Sequence, residues 1–158
     1  MTRPVAYLGI DPGAKGAYCL LVPSTKQVAF YPTDNKPLDT IEWFKKAMTQ
    51  VDVAVAMIED VHSLYGMSAK SNFSFGYNVG VVNIIPACVG LSIDKVTPKV
   101  WQKFVGVKAK GKAIKHDVAG ICDRLYPKAV IRGPRGGLMD GRSDSLMIAH
   151  YASQTFKI

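Results

Sequence analysis

Four acidic residues in this 158-residue chain stand where chemistry could use them. Asp11 closes one apolar run, Val5–Asp11, and Glu59 follows a second, Val53–Ile58. Asp140 and Asp144 are four residues apart, so a helix would carry both on one face. If adjacent strands set Asp11 beside Glu59 and that helix crosses them, all four carboxylates meet. Crowded carboxylates repel one another, and a hard cation offsets the repulsion. Mg²⁺ takes oxygen ligands and completes its shell with water and substrate phosphate. Two such ions about 3.5–4 Å apart stabilise both the attacking and the leaving oxygen of phosphodiester hydrolysis. Each acid also has an ordinary structural use. Asp11 before Pro12-Gly13 can initiate a turn, Glu59 and Asp60 can be exposed strand ends, and Asp140 and Asp144 can complement a helix dipole. Turns and caps explain the set less easily than they explain each member.

Charge is the second chemical signal. The chain has 20 Lys+Arg against 12 Asp+Glu, a formal net charge of +8. Between Lys95 and Arg135 there are eleven basic and two acidic residues, while the rest of the chain is close to neutral. Seven lysines and no acid occupy the stretch from Lys95 to Lys115. Such one-sided charge suits a polyanion, with counterions released as phosphates are neutralised. Lys99, Lys103, Lys108, Lys110, Lys112 and Lys115 are therefore candidate nucleic-acid contacts; a solvated Lys-rich surface is the alternative.

The elements that must position these groups read as follows. Val5–Asp11, Gly16–Val22 and Gln27–Tyr31 are three strands in an antiparallel meander, separated by turns at Pro12-Gly13 and Pro23-Ser24. Asp39 or Thr40 caps a helix over Ile41–Thr49, with Trp43, Phe44 and Met48 as its apolar stripe. Val53–Ile58 fits a central strand covered on both faces. A less regular region from His62 to Phe75 leads into a helix near Gly76–Ile85. Leu91–Val96 reads as a strand, and Thr97-Pro98 opens a short helix with Val100, Trp101 and Phe104 on one side. A basic loop, Gly106–Gly111, precedes a helix over Ala113–Leu125. After the Gly-rich stretch Gly133–Gly137, the last helix runs from about Ser143 to Ser153.

This order of elements predicts one α/β domain with a mixed sheet over residues 1–158. At 48% apolar residues the chain can bury a core, and disorder is excluded as its general state. The apolar runs stop well short of the roughly 20 residues a membrane helix needs. The N-terminus enters a strand without a charged-then-apolar leader, and the three cysteines form no CxxC pair. A cytoplasmic location is expected.

Gly9-Ile10-Asp11-Pro12-Gly13 with Gly16, the strand ending Ile58-Glu59-Asp60, and the run Asp140-Gly141-Arg142-Ser143-Asp144-Ser145-Leu146-Met147-Ile148-Ala149 resemble, in order, the RuvC family of Holliday-junction resolvases. Phe75 to Val81 is similar to the helix opening that follows the second acid in that family. Val105-Gly106 and Lys112 are similar to its Val-Gly and a downstream active-site lysine. The resemblance spans nearly the whole chain. It implies an RNase H-like fold: a five-stranded mixed sheet, three antiparallel strands then two parallel, flanked by helices. It implies a homodimer, branched DNA as partner (four-way junctions chiefly), and Mg²⁺ as cofactor, with Mn²⁺ able to substitute and no small-molecule cofactor. It also implies that Asp11, Glu59, Asp140 and Asp144 hold two ions, with Lys112 at the scissile phosphate. Bacterial members place the third acid three residues before the last, where this chain has Gly141; Asp140 lies one residue earlier. The family's junction-opening aromatic falls in a stretch that here holds His62, Leu64, Tyr65 and Phe73, with no one-to-one match.

The implied activity is a crossover junction endodeoxyribonuclease, in the cytoplasm of a bacterium or of a phage's host. Two alternatives stay open: a less selective nuclease of the same fold acting on flaps, forks or RNA–DNA hybrids, and a catalytically inactive branched-DNA-binding protein. Gly9-Ile10-Asp11 also resembles the first phosphate loop of actin-like ATPases, but those need two such domains around the nucleotide.

Overall fold

The structure, a computed structural model of the chain, describes residues 2–34, 36–62 and 65–156. Its frame is a sheet of β1 (Val5–Asp11), β2 (Ala17–Val22), β3 (Gln27–Pro32), β4 (Asp52–Glu59) and β5 (Ile93–Val96), in the order β3-β2-β1-β4-β5. β1, β2 and β3 pair antiparallel, while β4 joins β1 and β5 joins β4 in parallel. The expected five-stranded mixed sheet is present. β2 is buried along its whole length and β1 from Ala6 to Ile10, as their unbroken apolar runs require of strands covered on both faces.

Two helical layers cover the sheet. α1 (Pro37–Ala47) and α2 (Ala69–Cys88) lie on one face, where Phe44, Val82 and Ile85 cluster with Ala6, Leu8, Ile10, Ala56 and Ile58. α3 (Pro98–Val105), α4 (Ile114–Leu125) and α5 (Asp140–Thr155) lie on the other, clustered with Tyr7, Val55 and Met57. Side chains alternate across a strand. Asp11 therefore continues the set of Tyr7 and Gly9, and Glu59 the set of Val55 and Met57, so both acids fall on the α5 side. α5 runs hard against β1: a Cβ at Gly9 would collide with the Ser145 carbonyl and the Ala149 amide. Leu146, Met147, Ile148 and Ala149 are fully buried as a result.

Three helix starts differ from the sequence reading. α1 begins at Pro37, with Lys36 as its N-cap; Pro at the first position presets the backbone angle. Asp39 and Thr40 are thus inside the helix, and the buried Thr40 hydroxyl donates to the Lys36 carbonyl at 3.3 Å. α2 is 20 residues long and starts after Ser68, whose hydroxyl accepts from the Ser71 amide. The expected helix near Gly76–Ile85 is its second half; Ser and Asn are weak helix formers, which hid its first turns in the sequence. α5 starts three residues before Ser143, at Asp140. β5 is also shorter than expected, beginning at Ile93. Among the described residues no helix is long and apolar enough to cross a membrane.

Candidate active site

Parallel pairing of β1 with β4 sets Ile10 opposite Ile58, so Asp11 and Glu59 end neighbouring strands side by side. α5 contributes Asp140 as its first residue and Asp144 one turn later. Asp11, Glu59 and Asp144 are each opposed in their ionisation by burial and by neighbouring carboxylate charge. Burial pushes Asp144 up to about 8, with the charges of Asp11, Glu59 and Asp140 adding to the effect. Burial and then the charge of Asp11 push Glu59 up to about 7, against a hydrogen bond from Trp101. Asp11 is raised too, by burial and by Asp140, against the Gly13 amide. That amide donates to Asp11 Oδ1 at 3.0 Å. Asp11 thus serves its turn and the cluster at once.

Position 141 has no room for a side chain. Gly141 is buried and bridges Gly16 in parallel. A Cβ at Gly141 would collide with the Lys15 carbonyl. Gly16 is equally confined, against the Asp11 carbonyl. No carboxylate fits at position 141, and the residue before it supplies the charge that Asp11 and Asp144 feel.

Among the described residues no three His, Cys, Asp or Glu side chains already form a group that could hold a metal ion. The donor chemistry nonetheless fits a hard cation: four carboxylates in one electrostatic cluster, whose mutual repulsion a divalent ion would relieve.

Lys112 lies in a single 3-10 turn, Gly111–Ala113, just before α4. Lys112, Lys115 and His116 line a cleft together with Asp144. Lys99 and Lys103 on α3, and Lys108 and Lys110 after it, are exposed but lie outside that lining. His62 and Tyr65 are exposed, and Phe73 is an exposed residue of α2 rather than core, while Phe75 is half-buried. Leu64 lies outside the described residues. Sequence reasoning passed over three residues here. Trp101 Nε1 donates to Glu59 Oε2 at 2.8 Å. The Asp117 carboxylate accepts from the amides of Lys108 and Ala109 at 2.7 and 2.9 Å, tying down the basic loop. His116 shares the Asp144 cleft. Only Asp117 had a signal along the chain, as the first acid after a run of lysines.

No protein-family model matches the chain, and no curated protein matches it. Solved structures do. T. thermophilus RuvC in complex with Holliday junction substrate is 15% identical with a TM-score of 0.56, covering 96% of each chain. A second Thermus thermophilus RuvC structure is 16% identical with a TM-score of 0.52, covering 94% of this chain and 96% of that one. At such identity the likeness establishes the fold, an RNase H-like mixed sheet of the RuvC type.

Proposed function

We propose that this protein is a metal-dependent endonuclease that resolves four-way DNA junctions by paired symmetric nicks. The observation that carries the reading is the placement of Asp11 and Glu59 at the ends of neighbouring strands β1 and β4 and of Asp140 and Asp144 at the start of α5, near enough for Asp144 to feel the charge of the other three, beside a cleft with Lys112 and Lys115. Asp11, Glu59, Asp140 and Asp144 would hold two Mg²⁺ ions, for which Mn²⁺ can substitute. Bound there, such ions activate water for attack and offset charge on the leaving oxygen. Lys112 faces the scissile phosphate and neutralises its developing charge. Lys99, Lys103, Lys108, Lys110 and Lys115 hold the flanking backbone. His62, Tyr65 and Phe73, exposed beyond the end of β4, contact bases at the branch point. The three free thiols fit a reducing cytoplasm.

A four-way junction offers two equivalent strands, and a two-fold dimer offers two matching sites. Tyr77 and Ile84 give α2 an exposed apolar stripe. Gly76 and Gly80 on the same helix have open space where a side chain would sit. No acidic or basic residue follows Lys70 in that helix. This face suits a second copy of the chain.

The test is cleavage of synthetic four-way, three-way, flap and linear duplex DNA with Mg²⁺ or with a chelator. Paired nicks in the four-way junction alone, lost on chelation, are expected. Equal cutting of flaps, forks or RNA–DNA hybrids would replace the reading with a less selective nuclease. Tight junction binding without cutting would replace it with a binding protein.

A further inference from the structure

Trp101 is fully buried, and its indole N–H ends on a carboxylate of the candidate site rather than on backbone. Its place follows from the sheet. Val96 of β5 pairs with Glu59 of β4, and α3 starts two residues later with Pro98 at its first position. Trp101 lies one turn into that helix, held among residues of α4 and α5 in the core. The indole N–H can only donate. It neither binds a cation nor takes a proton, but it occupies one oxygen of Glu59. Among the described residues Glu59 Oε1 has no such donor. A carboxylate anchored by one oxygen on a packed ring keeps a fixed orientation for the other.

We infer that Trp101 is the positioning residue of the site, holding Glu59 by Oε2 so that Oε1 remains for a divalent cation. This rests on the metal-dependent reading above. The competing account is purely structural: a buried indole N–H needs an acceptor, and Glu59 is the one at hand. Trp101→Phe separates the two, because it keeps an aromatic ring and removes the donor.

The readout is the Mn²⁺ concentration at the midpoint of the metal-induced rise in melting temperature, measured for the parent, Trp101→Phe and Glu59→Gln. Positioning predicts a midpoint raised about tenfold or more in Trp101→Phe, the usual effect of losing a partner that orients a metal ligand. It also predicts a lower kcat with an unchanged KM for junction DNA. A lower metal-free melting temperature with the parent's midpoint would overturn the inference and leave the metal site standing. A parent with no response to Mn²⁺ would sink the metal reading, and the positioning role with it. Should Trp101→Phe fail to fold, the indole ¹H–¹⁵N resonances of the parent decide, with Trp43 as the internal reference. The Trp101 resonance should keep its hydrogen-bonded shift at saturating Mg²⁺. Its move to a free-indole position would show Glu59 leaving Trp101 to take the metal, against the inference.

Discussion

Asp144 is a carboxylate whose ionisation the fold opposes strongly, with its pKa pushed up to about 8, and Glu59 follows at about 7. The ordinary values are 3.8 and 4.5. The folded chain therefore keeps protons that the unfolded chain releases, and metal-free stability falls as pH rises between the two. The loss is absent below about pH 4, grows through neutral pH and levels off above about pH 8. Melting scans without metal from pH 5 to pH 9 should show this fall, and Mg²⁺ should flatten it by binding the ionised cluster. Asp144→Asn should flatten the metal-free profile and leave stability equal or higher. A large drop in stability on that substitution would mark Asp144 as a structural residue of α5 instead. For catalysis, Asp11→Asn and Glu59→Gln keep shape and remove charge. Nicking should fall far below the parent in both, with junction binding in gel shifts nearly intact. A rate within about tenfold of the parent would remove either residue from the machinery.

At the scale of elements, the site depends on how closely α5 and the loop after β1 approach. Gly141 and Gly16 let these backbones touch. Gly141→Ala must separate them, and overpacking of this kind typically costs about 1–3 kcal/mol. Urea unfolding should show a loss in that range, together with lost nicking because Asp140 and Asp144 move with the helix. The basic loop has its own anchor. Asp117 accepts from two consecutive loop amides, and those bonds hold its pKa below the usual carboxylate value. Asp117→Ala frees the loop that carries Lys108 and Lys110. Junction affinity should weaken severalfold while the rate at saturating enzyme stays near the parent's. Full affinity in this variant would mean that the loop does not need to be ordered to bind.

In the whole molecule the candidate site lies at the ends of the interior strands β1 and β4, and α2 carries exposed apolar residues. Val82 is in the core, so Val82→Glu would unfold the domain and say nothing about assembly. Tyr77 and Ile84 are 65% and 57% exposed, which makes them the informative positions. Sedimentation of the parent at micromolar concentration should give about twice the chain mass, as expected of a two-fold dimer. Tyr77→Glu should give a folded monomer that nicks without pairing its cuts. A monomeric parent that still makes paired symmetric nicks would break the argument from symmetry.

Much of this site is legible along the chain because its logic is local. Strand ends, turn residues and a two-residue alternation put Asp11 and Glu59 on one face, and helical spacing groups Asp140 with Asp144. Composition alone separates the basic segment from the rest. The first turns of α2 are less legible, since Ser71, Asn72 and Ser74 are weak helix formers and the helical pattern shows only from Gly76 on. What only the tertiary structure decided involves residues distant in sequence. Trp101 meets Glu59 across 42 positions, and Gly141 meets Gly16 across the join between α5 and the first turn. Spacing places a tryptophan in a core and a glycine in a loop, but the partner of each is set by how separate elements dock, and no local pattern encodes that.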